Sequence, residues 1–336
     1  MVKLSVVINI NSKDNLENTL ISICNQSFKD FEVLLVDDGS TDNSGKFCDD
    51  FAEKYPFIRV IHKPNGGPSS ARNVIIREAR GEYVGIIDAD DMIHPDYYKR
   101  MVSVLDETGL PVVKCGREYL EKGALPENKP IGKGYEIITT KRAFKNDLCE
   151  LRRTLLVEGM CTKLWRREVL QQGSFNEELR NEEDILFVFE MLFKFDKFAK
   201  IDDTLYYVVQ NENSITHNSQ NCERNLIHII RSREIMAERV KDLAPESLNV
   251  IVNNSLFNIF EEYKYWLSKG VQIPQSVRDA IIKTFAPYEN ILNFMIKKQF
   301  EGLKRGENKV IEFYHKKTLR SIYKRFMRYE TYRSKH

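Results

Sequence analysis

Apolar runs and helical segments alternate over the first 115 residues, and this alternation limits the chain to few folds. The apolar runs are LSVVINI (4–10), FEVLLV (31–36), IRVI (58–61), YVGII (83–87) and LPVVKCG (110–116). Segments of roughly 10–15 residues with helical periodicity separate them. Strands joined through helices lie parallel, and continuous apolar strands suit burial on both faces. The pattern therefore predicts an α/β fold with a mostly parallel sheet.

The pattern changes in the second half of the chain. KFAKI (197–201) and TLYYVV (204–209) predict a hairpin-like pair of strands, and the chain reads as almost wholly helical from residue 222. The candidate helices span 224–240, 246–269, 276–286 and 289–304. We therefore predict two domains, an α/β domain over 1–220 and a helical domain over 221–336.

Composition excludes several classes of protein. A hydrophobic content of 42% and a charged content of 30% are typical of a soluble globular chain, and a net charge of +2 gives no field that favours nucleic acid. The six cysteines form no C-x-x-C pair, and no stretch approaches the roughly 18 apolar residues of a membrane span. The apolar N-terminus is too short for a signal peptide. We expect a reduced, cytoplasmic protein with no nucleic-acid partner.

Polar clusters follow the predicted strands at the point where each strand ends. FEVLLV runs into Asp37 and Asp38, and YVGII runs into the cluster DADD (88–91). IRVI is followed by HKPNGGPSSARN (62–73), a glycine-rich loop that contains arginine. Because ligands of open α/β sheets collect at the carboxyl ends of the strands, we expect these clusters to share one edge and form a polar site.

The residue types at this edge suit a metal-bound nucleotide. The chain has no G-x-G-x-x-G and no G-x-x-x-x-G-K-[ST], so neither a dinucleotide site nor a P-loop is supported. Asp88 and Asp90 can ligate Mg²⁺ or Mn²⁺, which keep waters and bridge to substrate phosphates. The cation would relieve the repulsion among the aspartates. DADD also reads as a solvated turn in which Asp91 caps or braces the next element, and DDGSTDNS (37–44) as a turn before a helix.

Together these residues resemble the family 2 glycosyltransferases, which have the GT-A fold. The matching segments are SVVI (5–8), VDDGSTDNS (36–44), NGGPSSARN (65–73), ARGEYVGIIDADD (79–91) and EEDILF (182–187). CTKLWRREVL (161–170) and YYVVQNENSIT (206–216) look like segments that recur in bacterial capsule and exopolysaccharide members. The resemblance covers residues 3 to 217.

The resemblance implies an inverting transfer of a sugar from a nucleotide diphosphate sugar, with Mn²⁺ or Mg²⁺ as cofactor. The expected donor is a UDP-sugar that carries a hexose or an N-acetylhexosamine. The acceptor would be a hydroxyl of a glycan or of a lipid-linked acceptor in surface polysaccharide synthesis.

The resemblance also implies roles for single residues. Asp184 would be the general base, with Glu183 as its rival. Asp90 and Asp88 would hold the metal. His217 either reaches the diphosphate or the metal, or is a surface residue of a polar loop. The expected nucleotide-sugar contacts are Asn9, Asn11, Asp37, Asp38, Asn65, Gly67, Arg72, Asp88 and Ala89. Asn9 and Asn11 lie where the family usually has Pro, an aromatic residue and Asn.

The final segment, 309–336, carries nine Lys and Arg against two Glu. Leu319, Ile322, Tyr323 and Phe326 share one face of the helix that this segment predicts. A basic amphipathic helix can lie on an anionic membrane surface, where lipid-linked acceptors are found. A helix packed on its own domain and a contact with a second copy of the chain, as in a homo-oligomer, are the alternatives.

Two other functions stay open at this point. A nucleotidyltransferase acting on sugar phosphates also joins an α/β sheet to an Asp-held metal, but it would show a glycine-rich, basic loop near the first strand. ININSKDN (8–15) has no such loop. A non-catalytic glycan-binding scaffold on the same fold finds its support in that altered segment, whereas the intact Asp88, Asp90 and Asp184 favour an enzyme.

Overall fold

A computed structural model of the chain describes residues 2–10, 15–127, 129–140, 159–210 and 219–308. The described residues form two compact units, one within 2–210 and one within 219–308. The predictions for Asn11, His217 and the basic segment 309–336 lie outside the described residues. The division into domains at residue 220 stays a prediction.

The first unit combines strands and helices in alternation. Its strands are β1 (Leu4–Ile10), β2 (Phe31–Asp37), β3 (Ile58–His62), β4 (Tyr83–Asp88), β5 (Met92–Ile93), β6 (Val112–Leu120), β7 (Glu136–Thr139), β8 (Lys163–Arg166) and β9 (Lys197–Val209). Its helices are α1 (Leu16–Cys24), α2 (Ser44–Lys54), α3 (Pro68–Glu78), α4 (Tyr97–Thr108), α5 (Arg167–Leu170) and α6 (Glu183–Met191).

These strands form one sheet in the order β3-β2-β1-β4-β8-β6-β9-β5, and β7 pairs with β9. The four strands β3, β2, β1 and β4 are parallel, as expected for strands connected through helices. β8 enters antiparallel to β4 and β6, while β6 and β9 are parallel. The predicted α/β class is confirmed, and the sheet is parallel in its first half and mixed in its second.

β1 shows how the sheet is buried on both faces. Leu4, Val6, Ile8 and Ile10 are fully buried in one cluster with apolar residues of α1 and α4. The alternate face packs against α3. Each such side chain contributes about 1.5–3 kcal/mol when it leaves water, so β1 is a rigid centre for the polar loops at its carboxyl end.

Polar side chains on α1 and just after it hold the segment that follows β4. Thr19 Oγ1 donates to the carbonyl of Ala89 at 2.9 Å. Gln26 is fully buried; its Nε2 donates to the His94 carbonyl at 2.7 Å, and its Oε1 accepts from the Tyr98 N–H at 3.1 Å. Because buried backbone groups are costly to leave unpaired, α1 and the residues just after it fix the course of the chain after β4.

The predicted hairpin over 197–209 is wrong, because β9 is one continuous strand of 13 residues. The two aspartates that suggest a turn, Asp202 and Asp203, lie instead at an irregularity in the ladder, where the register of β6 shifts on both sides of Gly116. Asp203 Oδ1 accepts from the Gly132 N–H at 2.7 Å. A local bulge therefore accommodates these turn-favouring residues without reversing the chain.

The second unit is helical. Its helices are α7 (Cys222–Leu243), α8 (Leu248–Ser268), α9 (Gln275–Phe285) and α10 (Phe294–Lys304). Three of them confirm the predicted segments to within a few residues, but α10 begins at Phe294 and not at 289. A 3-10 helix occupies Ala286–Ile291, and the Asn293 side chain caps α10 by accepting from the Ile296 N–H at 3.0 Å. Among the described helices, none has the length and apolar character that crossing a membrane requires.

A histidine joins the carboxyl ends of β2 and β3. His62 Nδ1 lies 2.9 Å from Asp37 Oδ2, and its Nε2 lies 3.0 Å from Asp49 Oδ1 in α2. The hydrogen bonds to Asp37 and Asp49 raise the pKa of His62. Burial acts to raise the pKa of Asp37, but hydrogen bonds from Ser40 and from His62 hold it below its ordinary value. The folded chain thus favours a charged imidazolium between two carboxylates.

We expect the contribution of His62 to stability to fall as the pH rises. A histidine whose pKa is raised by folding contributes its full stabilisation below its unfolded pKa of about 6.5, and loses it as the pH rises through the folded value. The loss of thermal midpoint caused by His62→Gln should therefore be largest near pH 6 and smaller near pH 8.5. Asp49→Asn, which leaves Asp37 in place, should show a weaker dependence. A loss that stays constant with pH would contradict the expectation.

Candidate active site

The carboxyl ends of β2, β1 and β4 lie side by side, because these strands are parallel and in register. Asn9 of β1 is paired with Val36 of β2 and with Asp88 of β4, and Ile10 is paired with Asp37. This edge is a topological switch point of the sheet, since β2 and β3 lie on one side of β1 and β4 lies on the other. The predicted polar clusters therefore share the edge where α/β sheets bind ligands.

Asp38 is buried, and its carboxylate is bonded to the glycine-rich loop. Oδ1 accepts from the Gly66 N–H at 2.9 Å and pairs with the Lys63 ammonium, and Oδ2 accepts from the Gly67 N–H at 2.8 Å. These contacts fix the loop beside the end of β2, so the structure gives Asp38 a positioning role. Its expected contact with a nucleotide stays a prediction, as does that of Gly67.

Gly39 shows how closely the turn after β2 approaches the same loop. Its φ is +67°, a conformation that glycine adopts without strain. A Cβ at this position would lie 2.6 Å from the Asn65 nitrogen, so any side chain here would separate the two loops. Asn65 is thereby held against the turn that carries Asp37 and Asp38.

Arg72 of α3 connects the end of β4 with the start of α6. It is buried; its Nη1 pairs with Glu183 Oε1, and its Nη2 lies 3.5 Å from Asp88 Oδ1. Burial raises the pKa of Glu183, and the positive charge of Arg72 opposes that rise. One guanidinium therefore holds the strand end that carries the expected metal ligands and the helix that carries the expected base.

Asp184 lies in the first turn of α6, half-buried, where the helix dipole favours a negative charge. Its Oδ1 accepts from the Ile185 N–H at 2.8 Å. Gly159 approaches so closely that a Cβ on it would collide with Asp184 Oδ2. The neighbouring Glu183 is committed to the buried Arg72. Of the two candidate bases, Asp184 is thus the one whose carboxylate does not already balance a buried cation.

The DADD cluster forms a turn that is hydrogen-bonded to β9. The Asp91 N–H donates to the Asp88 carbonyl at 3.2 Å and closes the turn. The Asp91 carboxyl accepts from the Tyr206 hydroxyl at 2.6 Å and from the Val209 N–H at 3.0 Å. Burial, followed by the charge of Asp88, raises the pKa of Asp91 to about 8. Asp91 therefore braces the turn.

Two residues that hold this turn were missed by reasoning from the sequence. The Cys161 thiol donates to Asp88 Oδ2 at 2.7 Å, and the Tyr206 hydroxyl accepts from the Asp88 N–H at 3.3 Å. Burial and the nearby Asp88 charge raise the pKa of Cys161, which keeps the thiol protonated as a donor. The resemblance marks the segments 161–170 and 206–216, but a sequence does not show which side chain in them reaches a distant turn.

The DADD turn offers two carboxylates, those of Asp88 and Asp90, to a divalent cation. Within the described ranges, no group of three or more His, Cys, Asp and Glu side chains is arranged to hold a metal. Burial and the Asp88 charge raise the pKa of Asp90 to about 6. In the described part of the chain, no other residue donates a hydrogen bond to the Asp90 carboxylate or forms an ion pair with it. Two crowded carboxylates fit Mg²⁺ or Mn²⁺, which take one or two carboxylates together with waters and phosphates.

Several buried polar atoms at this edge lack a partner among the described residues. They include Asn9 Oδ1, an acceptor, and Arg72 Nε, a donor. Buried polar groups are normally hydrogen-bonded, so an orphaned acceptor beside Asp88 fits a ligand that carries a hydroxyl or an N–H group. Ala89, another predicted contact, lies in the turn with its carbonyl already bonded to Thr19.

Comparison with known proteins agrees with this architecture. The family model described as Glycosyl transferase family 2 matches residues 5–173, half of the 336-residue chain. An uncharacterised glycosyltransferase of Bacillus subtilis, EpsJ, is 32% identical over 203 residues, which are 60% of this chain and 59% of EpsJ. The chain thus spans about three-fifths of the length of that relative.

Two solved structures share the fold at low sequence identity. Staphylococcus aureus TarS residues 1–349, in complex with UDP-GlcNAc, superposes with a TM-score of 0.55 at 19% identity, over 93% of this chain and 91% of TarS 1–349. The mannosyltransferase PcManGT of Pyrobaculum calidifontis, in complex with GDP-Man and Mn²⁺, gives 0.55 at 15% identity, over 93% and 86%. The GT-A fold is confirmed, and the chain belongs to glycosyl transferase family 2.

Proposed function

We propose that the chain transfers a hexose or N-acetylhexosamine from a nucleotide diphosphate sugar, with inversion, to a hydroxyl of a glycan or lipid-linked acceptor. The observation that carries the proposal is the arrangement around Arg72, whose guanidinium contacts Asp88 at the DADD turn and pairs with Glu183 beside Asp184. This arrangement brings a site for a leaving diphosphate near a carboxylate that can accept a proton.

The donor side consists of the DADD turn and the neighbouring strand end. Asp90 and Asp88 would hold Mn²⁺ or Mg²⁺, with His217 as a further candidate ligand. When bound, the ion supplies stabilisation of the negative charge that develops on the leaving diphosphate. Asn9 Oδ1, which has no partner among the described residues, would accept from a hydroxyl or N–H of the nucleotide. The remaining proposed contacts with the nucleotide sugar are Asn11, Asp37, Asp38, Asn65, Gly67, Arg72, Asp88 and Ala89.

The nucleotide that we propose is a uridine diphosphate. TarS, which shares the fold, was solved with UDP-GlcNAc, whereas PcManGT was solved with GDP-Man. Asp37 lies at the end of β2 with an ionised carboxylate, and a carboxylate accepts from the ring N–H of uracil or of guanine but finds no such donor in cytosine. This chemistry supports uridine, thymidine or guanosine, and the TarS likeness leads us to choose uridine.

The acceptor side consists of the start of α6. In an inverting transfer the acceptor oxygen attacks the anomeric carbon from the face opposite the leaving group, and one base removes its proton. Asp184 suits this role because it is half-buried and close to Gly159, whereas Glu183 neutralises Arg72. The geometry therefore supports Asp184 as the base.

Binding of the donor should depend on the metal. Among UDP, GDP, TDP and CDP, we expect UDP to raise the thermal midpoint, and to do so strongly only with Mn²⁺, since a ligand at a hundred times its Kd adds about 2.7 kcal/mol. Asp90→Asn should remove the metal-dependent part of the shift. Asp202→Asn, which removes the same charge from an exposed position on β9, should keep it. No response to any nucleotide would refute the proposed donor class.

Asp184→Asn should abolish catalysis and spare donor binding. Loss of a general base lowers the rate by roughly 10²- to 10⁴-fold, while the amide keeps the size of the side chain. The measurement is release of UDP from a panel of UDP-sugars, beside the thermal shift given by UDP and Mn²⁺. Glu183→Gln is the comparison, and it should weaken donor binding through Arg72. Full activity of Asp184→Asn would contradict the assignment of Asp184 as the general base.

We further propose that the enzyme acts in surface polysaccharide synthesis on the cytoplasmic side of a membrane, as a 1–220 catalytic domain and a 221–336 helical domain. The basic segment 309–336 would contact anionic lipid.

In a flotation assay with vesicles that contain phosphatidylserine, the full chain should float with the vesicles. Replacing Lys324, Arg325 and Arg328 by Gln should reduce the fraction of the protein that floats. Replacing the exposed Lys46, Lys122 and Lys133 is the matched control. Equal flotation of both variants would remove the proposed lipid contact.

A further inference from the structure

The Tyr206 hydroxyl lies between two residues of the DADD turn and bonds to both. It accepts from the Asp88 N–H at 3.3 Å and donates to Asp91 Oδ2 at 2.6 Å. The residue is 1% exposed, so water cannot take over either contact. One hydroxyl therefore joins the first and the last residue of the turn.

The sheet fixes the place of this hydroxyl. Tyr206 lies within β9 and is paired with Ile93 of β5 and with Arg117 of β6. Its ring packs edge-on against Tyr97, with the ring centroids 6.4 Å apart. The backbone of Tyr206 and its ring are thus held by contacts that do not involve the hydroxyl.

The rest of the turn is held from other directions. The Asp88 carbonyl accepts from the Asp91 N–H at 3.2 Å, and the Ala89 carbonyl accepts from Thr19 Oγ1 at 2.9 Å. Tyr206 supplies the contact at the Asp88 N–H. This contact fixes the backbone of Asp88, and with it the position from which the Asp88 side chain extends. Without the hydroxyl, that N–H and Asp91 Oδ2 would each lose a partner.

Crowding makes this contact important for ligand binding. Asp88, Asp90 and Asp91 lie within four residues, and their carboxyl groups repel one another when ionised. A turn free to relax would separate these groups, whereas a cation is bound most tightly when its ligands are already in place. Preorganisation of the ligands reduces the cost of binding.

We infer that Tyr206 is a positioning residue for the donor site, whose hydroxyl holds Asp88 and Asp90 in the arrangement that binds a divalent cation together with a nucleotide diphosphate. The inference rests on the proposed function. It adds a residue that touches neither substrate nor cation and acts through the backbone of the turn.

The test compares Tyr206→Phe with Tyr207→Phe. Both residues are 1% exposed, and each change removes one buried hydroxyl and keeps the ring. The Tyr207 hydroxyl, however, donates to the Glu127 carbonyl at 3.3 Å, away from the turn. Tyr206→Phe removes two hydrogen bonds and Tyr207→Phe removes one, so both changes should lower the thermal midpoint of the unliganded chain, Tyr206→Phe by more.

The decisive readout is the affinity for Mn²⁺ in the presence of UDP, measured by calorimetry on the full chain. Tyr206→Phe should weaken it by about five- to ten-fold, because the Asp88 N–H and the Asp91 carboxyl both lose their shared partner, and Tyr207→Phe should leave it unchanged. For UDP-sugar hydrolysis, KM for Mn²⁺ should rise in Tyr206→Phe with little change in kcat.

Three outcomes would overturn the inference. Equal affinities in wild type and Tyr206→Phe would show that the hydroxyl does not position the ligands. Equal weakening in both variants would show a general loss of stability. A wild-type chain that binds neither UDP nor Mn²⁺, whichever is added first, would refute the proposed function and the inference with it. Failure of the proposed function is thus distinguishable from failure of the inference alone.

Discussion

The repulsion among carboxyl groups at the end of β4 is the constraint on which the rest of the site depends. Burial and mutual charge raise the pKa of Asp90 to about 6 and that of Asp91 to about 8, so the folded chain carries a free-energy cost at this turn. Contacts from α1, α3, β9 and the segment before β8 hold the turn in place against that cost. The surrounding fold therefore holds an unfavourable arrangement of charge, which a cation at the proposed site would relieve.

The segments that hold the turn are far apart in the chain. Thr19 comes from the first helix, Arg72 from the third, Cys161 from the segment before β8, and Tyr206 from β9. The contacts of Cys161 and Tyr206 depend on β8 and β9, which lie in the sheet among strands from much earlier in the sequence. The site is thus a property of the completed sheet and not of any one motif.

This dependence explains what could be predicted from the sequence. The alternation of apolar runs and helices predicted the parallel half of the sheet, and the polar strand ends predicted a shared edge, because both follow from local patterns. The roles of Cys161 and Tyr206 could not be predicted, since they depend on long-range pairing. Asp38 shows the same limit: its place at a strand end was predictable, but its bonds to Gly66 and Gly67 were not. The continuous strand β9 was not predicted, because Asp202 and Asp203 favour a turn locally. In the structure, a bulge in the ladder with β6 accommodates them.

Arg72 has a consequence for how such an enzyme changes over time. One buried guanidinium touches Asp88 on the proposed donor side and Glu183 on the proposed acceptor side, so the two sides share one counter-charge. Substitutions that adapt the chain to a new donor would disturb the acceptor helix, and the reverse also holds. Their effects would be non-additive, as is usual for residues that share a partner. New specificity on this scaffold would then arise through paired substitutions, and chimaeras that exchange one half of the site would lose activity.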